Sequence, residues 1–266
     1  MRANVAVFFH ELKRNRLSLV IWAGVISFML AVCIIIYPEM SSQMGELSDM
    51  FSDMGSFSDA FGMDQINFGE FMGYFAIECG NTLGIGGAFF AALCGVLALY
   101  KEEKDRTAEF LFSHPISRRS VIMQKLVSVF AQITILNAVV AGVCTLAILA
   151  IGESADAKIL FLLFFAYYLL QLEIAAISFG ISAFIKNGGV GIALGMAFVM
   201  YFVNIVANLS EDVEFLKYIT PFSYADGSAI VSAEAIEIKY LAVGAVLFAL
   251  GIVAAFVKYG KKDIAA

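Results

Sequence analysis

Six long apolar runs constrain this chain more than any other feature of its sequence. They cover residues 17–37, 75–100, 126–151, 159–185, 190–207 and 240–257. Each run reaches or nearly reaches the ~20 apolar residues that a helix needs to cross the ~30 Å hydrocarbon core of a bilayer. Because hydrocarbon offers no hydrogen-bond partner to the backbone, these runs must be helices rather than strands. The sequence therefore predicts an all-α integral membrane protein with six transmembrane helices.

The basic residues predict how the six spans are oriented. If successive connections lie on opposite sides of the membrane, all but Lys158, Lys217 and Lys239 of the 17 Lys and Arg residues fall on one side. Positively charged groups collect in cytoplasmic loops. We therefore expect cytoplasmic N- and C-termini and a cytoplasmic loop at 101–125. The segments 38–74 and 208–239 are then extracellular.

The overall composition excludes several classes of protein. The chain is 61% hydrophobic and only 15% charged, whereas a soluble domain carries about a quarter charged residues. It has no basic stripe with interleaved aromatic residues, so we expect no nucleic-acid partner. The four cysteines fall within the apolar runs without paired spacing, which predicts neither a metal site nor a redox motif.

Two of the flanking segments show helical periodicity. In residues 1–16, apolar residues recur at helical spacing opposite the charges, which predicts an amphipathic interfacial helix on the inner leaflet; the alternative is a short basic anchor. In residues 38–74, a Met/Phe stripe lies opposite acidic residues. It could pack on the protein's own helices or contact a hydrophobic substrate. Residues 208–239 predict a short re-entrant or interfacial segment, broken by Pro221.

Polar side chains within the spans are candidates for a substrate path. Glu173 lies near the middle of the fourth run, with Gln171 close by, and Glu78 and Asn81 lie in the second run. A charge at membrane depth is costly, so Glu173 should face the bundle interior or a polar cavity. These four residues either line or support a path, or they form hydrogen bonds between helices that only stabilise packing.

Sequence motifs for catalysis are absent. The two histidines, His10 and His114, are far apart in the sequence, and no P-loop or zinc-protease motif occurs. The glycine-rich stretch 188–195 lacks the lysine that a phosphate-binding loop requires. We therefore expect no catalytic residues, no metal site and no cofactor bound by this chain. Any ATP hydrolysis must be carried out by a separate chain.

The 101–125 loop has the most specific pattern in the sequence. Thr107 can cap a short helix that contains Phe110 and Leu111, and Pro115 would end that helix. Ser117 can then cap the helix that becomes the third span. A short helix with exposed apolar residues on the inner face is typical of a docking element for a soluble partner. The alternative is an interfacial helix that rests on lipid headgroups.

This loop resembles the corresponding loop of the ABC-2 type permeases, the membrane subunits of ABC exporters. Their pattern, Glu-x-x-x-Gly-Thr-x-Glu-x-Leu-x-x-x-Pro-(Ile/Val)-Ser-Arg followed by a lysine, is matched by Glu102, Thr107, Glu109, Leu111, Pro115, Ile116, Ser117, Arg118 and Lys125. Arg106 stands where the family usually has glycine. The resemblance extends to the basic N-terminal segment, the six spans, the long first outside loop and residues 221–224.

The resemblance implies a role for the loop and a set of partners. The loop would be a coupling helix that docks into a separate ABC ATPase subunit, which binds ATP and Mg²⁺. The coupling residues would then be Glu102, Thr107, Glu109, Phe110, Leu111, Pro115 and Arg118. The family also implies a second permease copy, identical or different, and a place in the cytoplasmic membrane of a bacterium.

The expected function is export of an amphipathic or hydrophobic substrate such as a peptide, antibiotic or drug. Sodium or another ion is the alternative cargo, since some relatives move ions. A membrane scaffold or sensor that transports nothing is the alternative from another functional class.

Overall fold

The computed structural model describes residues 5–52, 70–104, 117–185, 189–209 and 211–261, and every element in those ranges is helical. The long helices are α1 (Ala6–Ser52), α3 (Ile85–Lys104), α4 (Arg118–Ile151), α5 (Ala157–Ser182), α6 (Gly189–Leu209) and α8 (Ile238–Lys261). The shorter ones are α2 (Phe71–Cys79) and α7 (Gly227–Ala233). A π-helical turn, Gly80–Gly84, joins α2 to α3, and two 3₁₀ helices, Glu211–Tyr218 and Pro221–Ser223, precede α7.

Six stretches of this structure are long and apolar enough to cross a bilayer, which confirms the predicted number of spans. They are Ala6–Ser41, Phe71–Lys101, Arg118–Ile151, Ala157–Ser182, Gly189–Leu209 and Ile238–Gly260. Each contains most of one predicted apolar run. The second is built from α2, the π-helical turn and α3 together, so a single apolar run corresponds to three consecutive helical elements.

Helix α1 differs from the predicted division of the N-terminal region. The sequence predicts an interfacial helix at 1–16 and a separate span at 17–37, but one continuous helix runs from Ala6 to Ser52 and includes Pro38. The predicted boundary rested on a change in polarity at residue 17. No glycine or proline occurs between Ala6 and Ala23, so nothing in the backbone chemistry ends the helix there. The charged first turns and the apolar span are therefore one rod.

Helix α5 lies at the centre of the bundle and packs most extensively on α3 and α8. Glycines allow both close approaches. A Cβ atom on Gly95 of α3 would lie 2.5 Å from the Ala175 carbonyl oxygen of α5. On the other side, a Cβ atom on Gly251 of α8 would lie 2.5 Å from the Ala176 carbonyl oxygen. Two helix backbones thus approach α5 within the distance that only glycine permits.

The two ends of the bundle differ in charge, and we name them accordingly. The basic end carries Lys101, Arg118 and Lys258, and the acidic end carries Glu153 and Asp156. Contacts between helices show which of their ends lie together. Gly189 at the start of α6 packs on Tyr100 near the end of α3, so α3 ends where α6 begins. The basic end is the one that the sequence predicts to be cytoplasmic.

The segment 211–237 at the acidic end folds back against the helices. Pro221, Phe222, Ser223 and Tyr224 are all buried. The Thr220 hydroxyl donates to the Met200 carbonyl oxygen in α6 at 2.8 Å. We call residues 219–228 the inserted segment. Its residues 220–225 are all buried among the helices.

We expect Gly251→Ala to lower the free energy of unfolding by about 1–3 kcal/mol, because the added methyl group would overlap backbone atoms of α5. The matched control is Gly142→Ala in α4, where an added Cβ has no neighbour within 4 Å among the described residues. Unfolding in mixed detergent micelles, followed by fluorescence of the single tryptophan, Trp22, measures both variants. Equal stability of the two variants would contradict this close approach of α8 to α5.

Candidate functional site

A polar cavity of about 70 Å³ lies in the half of the bundle nearer the acidic end. This volume accommodates several water molecules. Its walls come from α2, the π-helical turn, α5, α6 and the inserted segment. The polar residues that line it are Asn81, Tyr167, Tyr201, Asn204, Asn208, Asp226 and Ser228. A group of hydroxyl, amide and carboxyl side chains at this position is unusual in a bundle whose surroundings are hydrocarbon.

The π-helical turn brings Asn81 to the cavity. A π-helical turn inserts an extra residue into a helix and changes the direction of the side chains that follow it. The ring of Tyr167 fits beside this turn, since Cβ atoms on Gly80 and Gly84 would lie only 3.0 and 3.2 Å from it. Asn81 itself is exposed. The cavity therefore opens along a polar edge of the second span.

Asp226 shapes the opposite wall of the cavity. Its carboxylate caps α7 by accepting the backbone N–H groups of Ser228 at 2.9 Å and Ala229 at 3.3 Å. Burial raises the pKa of Asp226 above its ordinary value, and the two N–H groups partly counteract this shift. Gly227 allows the segment to approach α2, because a Cβ atom there would lie 2.7 Å from the Ala76 carbonyl oxygen.

Glu173 holds the inserted segment in place from the centre of the bundle. It is buried, at 3% exposure, and its Oε2 accepts the Tyr224 hydroxyl at 2.8 Å. Burial, followed by the nearby Glu173 charge, raises the pKa of Tyr224, so the hydroxyl stays protonated and donates. Gly244 of α8 provides the space for this carboxyl group, since a Cβ atom there would collide with Glu173. Tyr224 lies between Phe222 and Ala225, which both line the cavity.

Gln171 forms hydrogen bonds between helices, which is one of the two alternatives that the sequence left open. It is fully buried, and its Oε1 accepts Asn137 Nδ2 of α4 at 2.7 Å. Its Nε2 donates to the Leu83 carbonyl oxygen in the π-helical turn at 3.4 Å. Gln171 therefore joins α5, α4 and the π-helical turn, and it is not among the residues that line the cavity.

The structure brings together only part of the predicted path. Asn81 lines the cavity, whereas Gln171, Glu173 and Glu78 do not. Glu78 instead accepts the Cys33 thiol of α1 at 3.5 Å. Three further lining residues were not predicted from the sequence: Tyr201 and Asn208, which lie two turns apart on α6, and Asp226, which the inserted segment brings to them. One local signal was available for Asp226, because an Asp followed by small residues is typical of a helix N-cap.

The predicted coupling loop is described only at its two edges. Glu102 lies in the last turn of α3, and Arg118 is the first residue of α4. Ser117 caps α4, as predicted, by accepting the Ser120 backbone N–H at 3.2 Å. The remaining coupling residues, Thr107, Glu109, Phe110, Leu111 and Pro115, lie outside the described residues.

A second polar cluster lies at the basic end, close to this loop. Lys125 of α4 is 1% exposed, and its Nζ contacts Glu11 Oε1 of α1 at 2.8 Å. From the sequence, Lys125 is only one of the positive charges and a match to the loop pattern. The sequence held one signal for this ion pair: Glu11 is the single acidic residue among the first 38 residues of the chain.

We expect Tyr224→Phe to lower the free energy of unfolding by about 1–3 kcal/mol, because Glu173 then loses its hydrogen-bond donor in a buried position. The control is Tyr218→Phe, since Tyr218 is 44% exposed. Denaturation in mixed micelles measures both variants. A Tyr224→Phe protein as stable as the control would show that this hydrogen bond does not hold the inserted segment.

Comparison with known proteins adds one finding. A family model described as "ABC-2 family transporter protein" matches residues 5–264, which is nearly the whole chain. No curated protein matches the sequence.

Proposed function

Because this chain belongs to the ABC-2 transporter family, and is therefore the membrane subunit of an ABC transporter, we propose that it exports an amphipathic or hydrophobic substrate. The transporter would move the substrate from the cytoplasmic side of the cell membrane to the outside. Membership in this family also implies an ABC ATPase as partner. In the proposed complex the ATPase is a separate chain, and a second permease subunit, identical or different, completes the pair.

The polar cavity is the observation that carries the proposal. Asn81, at one edge of the cavity, is exposed on an otherwise apolar span. Polar groups at membrane depth mark substrate pathways. The cavity is too small for a drug-sized molecule, which needs several hundred Å³. We therefore propose that it is the closed state of a path that widens when the inserted segment moves.

Glu173 and Gln171 support this path rather than line it. Glu173 fixes Tyr224 and thereby positions Phe222 and Ala225, which form part of the cavity wall. Gln171 fixes the π-helical turn that presents Asn81. Glu78 connects the second span to α1 through Cys33. In this proposal Asn81 contacts the substrate and the other three residues position the elements around it.

An amphipathic substrate suits the composition of the cavity better than an ion does. Asp226 is the single carboxylate among its lining residues, and its Oδ1 already accepts the backbone N–H groups of Ser228 and Ala229 in α7. Within the described ranges, no group of three His, Cys, Asp or Glu residues could hold a metal ion. The lining otherwise combines aromatic rings with amides, which is typical of a site for a partly apolar molecule.

The positions of the helix ends support the coupling proposal. Helices α3 and α4 end and begin at the basic end, so residues 105–116 connect them there. We propose that Thr107, Glu109, Phe110, Leu111 and Pro115 form the docking element for the ATPase, with Glu102 and Arg118 at its edges. The basic end is then the cytoplasmic face, in agreement with the distribution of Lys and Arg.

We expect Phe110→Asp or Leu111→Asp to reduce association with the ATPase at least about tenfold, because a charge in an apolar docking surface must be desolvated on binding. Copurification from mild detergent, quantified by mass spectrometry, measures the association. The control is Phe215→Asp, a position 61% exposed at the opposite end. Undiminished association of both loop variants, with the bundle still folded, would contradict the coupling assignment.

We expect Glu173→Gln to reduce transport by about tenfold or more while leaving stability nearly unchanged. The amide oxygen still accepts the Tyr224 hydroxyl, but a neutral acceptor holds it more weakly than a carboxylate does, so Tyr224 and the cavity wall beside it are positioned less firmly. The lower desolvation cost of the amide offsets this loss in the free energy of unfolding. ATP-driven movement of a fluorescent amphipathic dye into inside-out vesicles measures transport. Glu234→Gln, at an exposed position, is the control. Normal transport by an equally stable Glu173→Gln protein would show that Glu173 does not act on the path.

A further inference from the structure

One buried ion pair joins three helices at the basic end. Lys125 Nζ of α4 lies 2.8 Å from Glu11 Oε1 of α1 and donates to the Ala98 carbonyl oxygen of α3, also at 2.8 Å. Both charged side chains are buried, at 1% and 8% exposure. A small cavity of about 50 Å³, lined by Asn15, Lys101 and Gln132 among others, adjoins the pair.

The preceding residue adds a second connection between α4 and α1. Gln124 Oε1 accepts the backbone N–H groups of Val7 at 3.1 Å and Phe8 at 3.3 Å. These N–H groups lie in the first turn of α1, where no carbonyl of the same helix can bond them. Val5, just before the helix, has no side-chain acceptor, so α4 provides the cap. Ser120 Oγ accepts Gln124 Nε2 at 3.1 Å and orients the amide.

The stability of the fold does not explain this ion pair. Burying two charges costs desolvation energy that their attraction only partly offsets, and apolar replacements of similar volume are often at least as stable. What a buried pair does provide is a defined relative position, because its geometry must be kept to avoid an unpaired charge. The pair therefore fixes how α1 lies against α4.

The pair lies next to the proposed docking element. Residues 105–116 are bounded by Lys104 at the end of α3 and Arg118 at the start of α4. Ala98 and Lys125 are each about two helical turns from these ends. The Lys125 side chain thus joins α4 to α3, the two helices that carry the loop. It also contacts α1, which has no chain connection to the loop.

We infer that the Glu11–Lys125 pair is a positioning contact that makes α1 move together with α4, so that the motion delivered through the loop also reaches α1. The inference rests on the proposed function, because the ATPase supplies the motion. Glu11 and Lys125 touch neither substrate nor nucleotide in this scheme. They act by keeping α1 in register with α4.

Distances between spin labels test the inference in the complex with the copurifying ATPase. With Cys33 replaced by serine, which keeps a donor for Glu78, and the other three native cysteines replaced by alanine, one label pair is placed at Phe9 and Met123 and a second at Phe9 and Val257. All three positions are exposed on α1, α4 and α8. Each distance is measured without nucleotide and with Mg-ATP and vanadate. We expect the Phe9–Met123 distance to stay constant and the Phe9–Val257 distance to shift.

A double substitution then removes the ionic contact without leaving an unpaired charge. In Glu11→Gln with Lys125→Met, we expect ATP hydrolysis to continue within about twofold of the unaltered rate, while the Phe9–Met123 distance broadens and becomes nucleotide-dependent. The control is Glu234→Gln with Lys158→Met, which removes an exposed ion pair of 2.7 Å at the acidic end. The control should behave like the unaltered protein.

Several outcomes overturn the inference, and they are distinguishable from failure of the proposed function. If no ATPase copurifies with the unaltered protein, the proposed function fails and the inference fails with it. If an ATPase binds and hydrolyses ATP but the unaltered Phe9–Met123 distance already changes with nucleotide, only the inference fails. If the Phe9–Met123 distance in the double variant stays as it is in the unaltered protein, again only the inference fails. If the double variant does not fold, the distances in the unaltered protein still decide.

Discussion

Hydrocarbon offers no hydrogen-bond partner, and this constraint determines how the polar side chains of the bundle are arranged. Three buried polar side chains find a partner on another element: Gln171 on α4 and the π-helical turn, Glu173 through its Oε2 on the inserted segment, and Lys125 on α1 and α3. These partners are favoured because hydrocarbon cannot replace them. Each contact therefore does more than stabilise, since it also specifies which elements stay together.

The central position of α5 depends on a second constraint, the size of the residues that face it. Gly95 and Gly251 bring α3 and α8 against its backbone, so α5 cannot shift relative to these two helices without overlap. The inserted segment is held differently. It contacts α5 and α6 through side-chain hydrogen bonds from Tyr224, Ser223 and Thr220. Hydrogen bonds can exchange partners more easily than packed backbones can separate, so this segment can move more readily relative to α5 and α6 than relative to α2, on which Gly227 packs closely.

The sequence predicted the spans well because length and hydropathy are local properties. It also predicted that Glu173 would be interior, since burial follows from the cost of exposing a charge to lipid. It did not predict the cavity, because Asn81, Asn208 and Asp226 meet only through a π-helical turn and an inserted segment that no local pattern specifies. Two Gly-x-x-x-Gly patterns in the sequence, at 80–84 and 191–195, each predict the close approach of another helix, and they show the same limit. Gly80 and Gly84 do receive a neighbour, Tyr167, whereas Gly191 and Gly195 have none within 4 Å among the described residues.

The continuity of α1 connects the two sites. Near its N-terminus α1 is attached to α4 by Glu11 and by the Gln124 cap. Farther along, its Cys33 carbonyl accepts the Tyr74 hydroxyl at 3.2 Å, and the Cys33 thiol donates to Glu78. Tyr74 and Glu78 belong to α2, whose Ala76 and Ile77 line the cavity.

A helix without a break transmits displacement along its axis, and α1 is continuous from Glu11 to Cys33, with Gly24 as the single glycine and no proline between them. In the proposed transporter, α1 is therefore a direct mechanical connection from the ATPase side to one wall of the path. The inserted segment packs closely on α2 at Gly227, so displacement of α2 would also move this segment relative to α5 and α6. That movement would open the cavity beside Asn81.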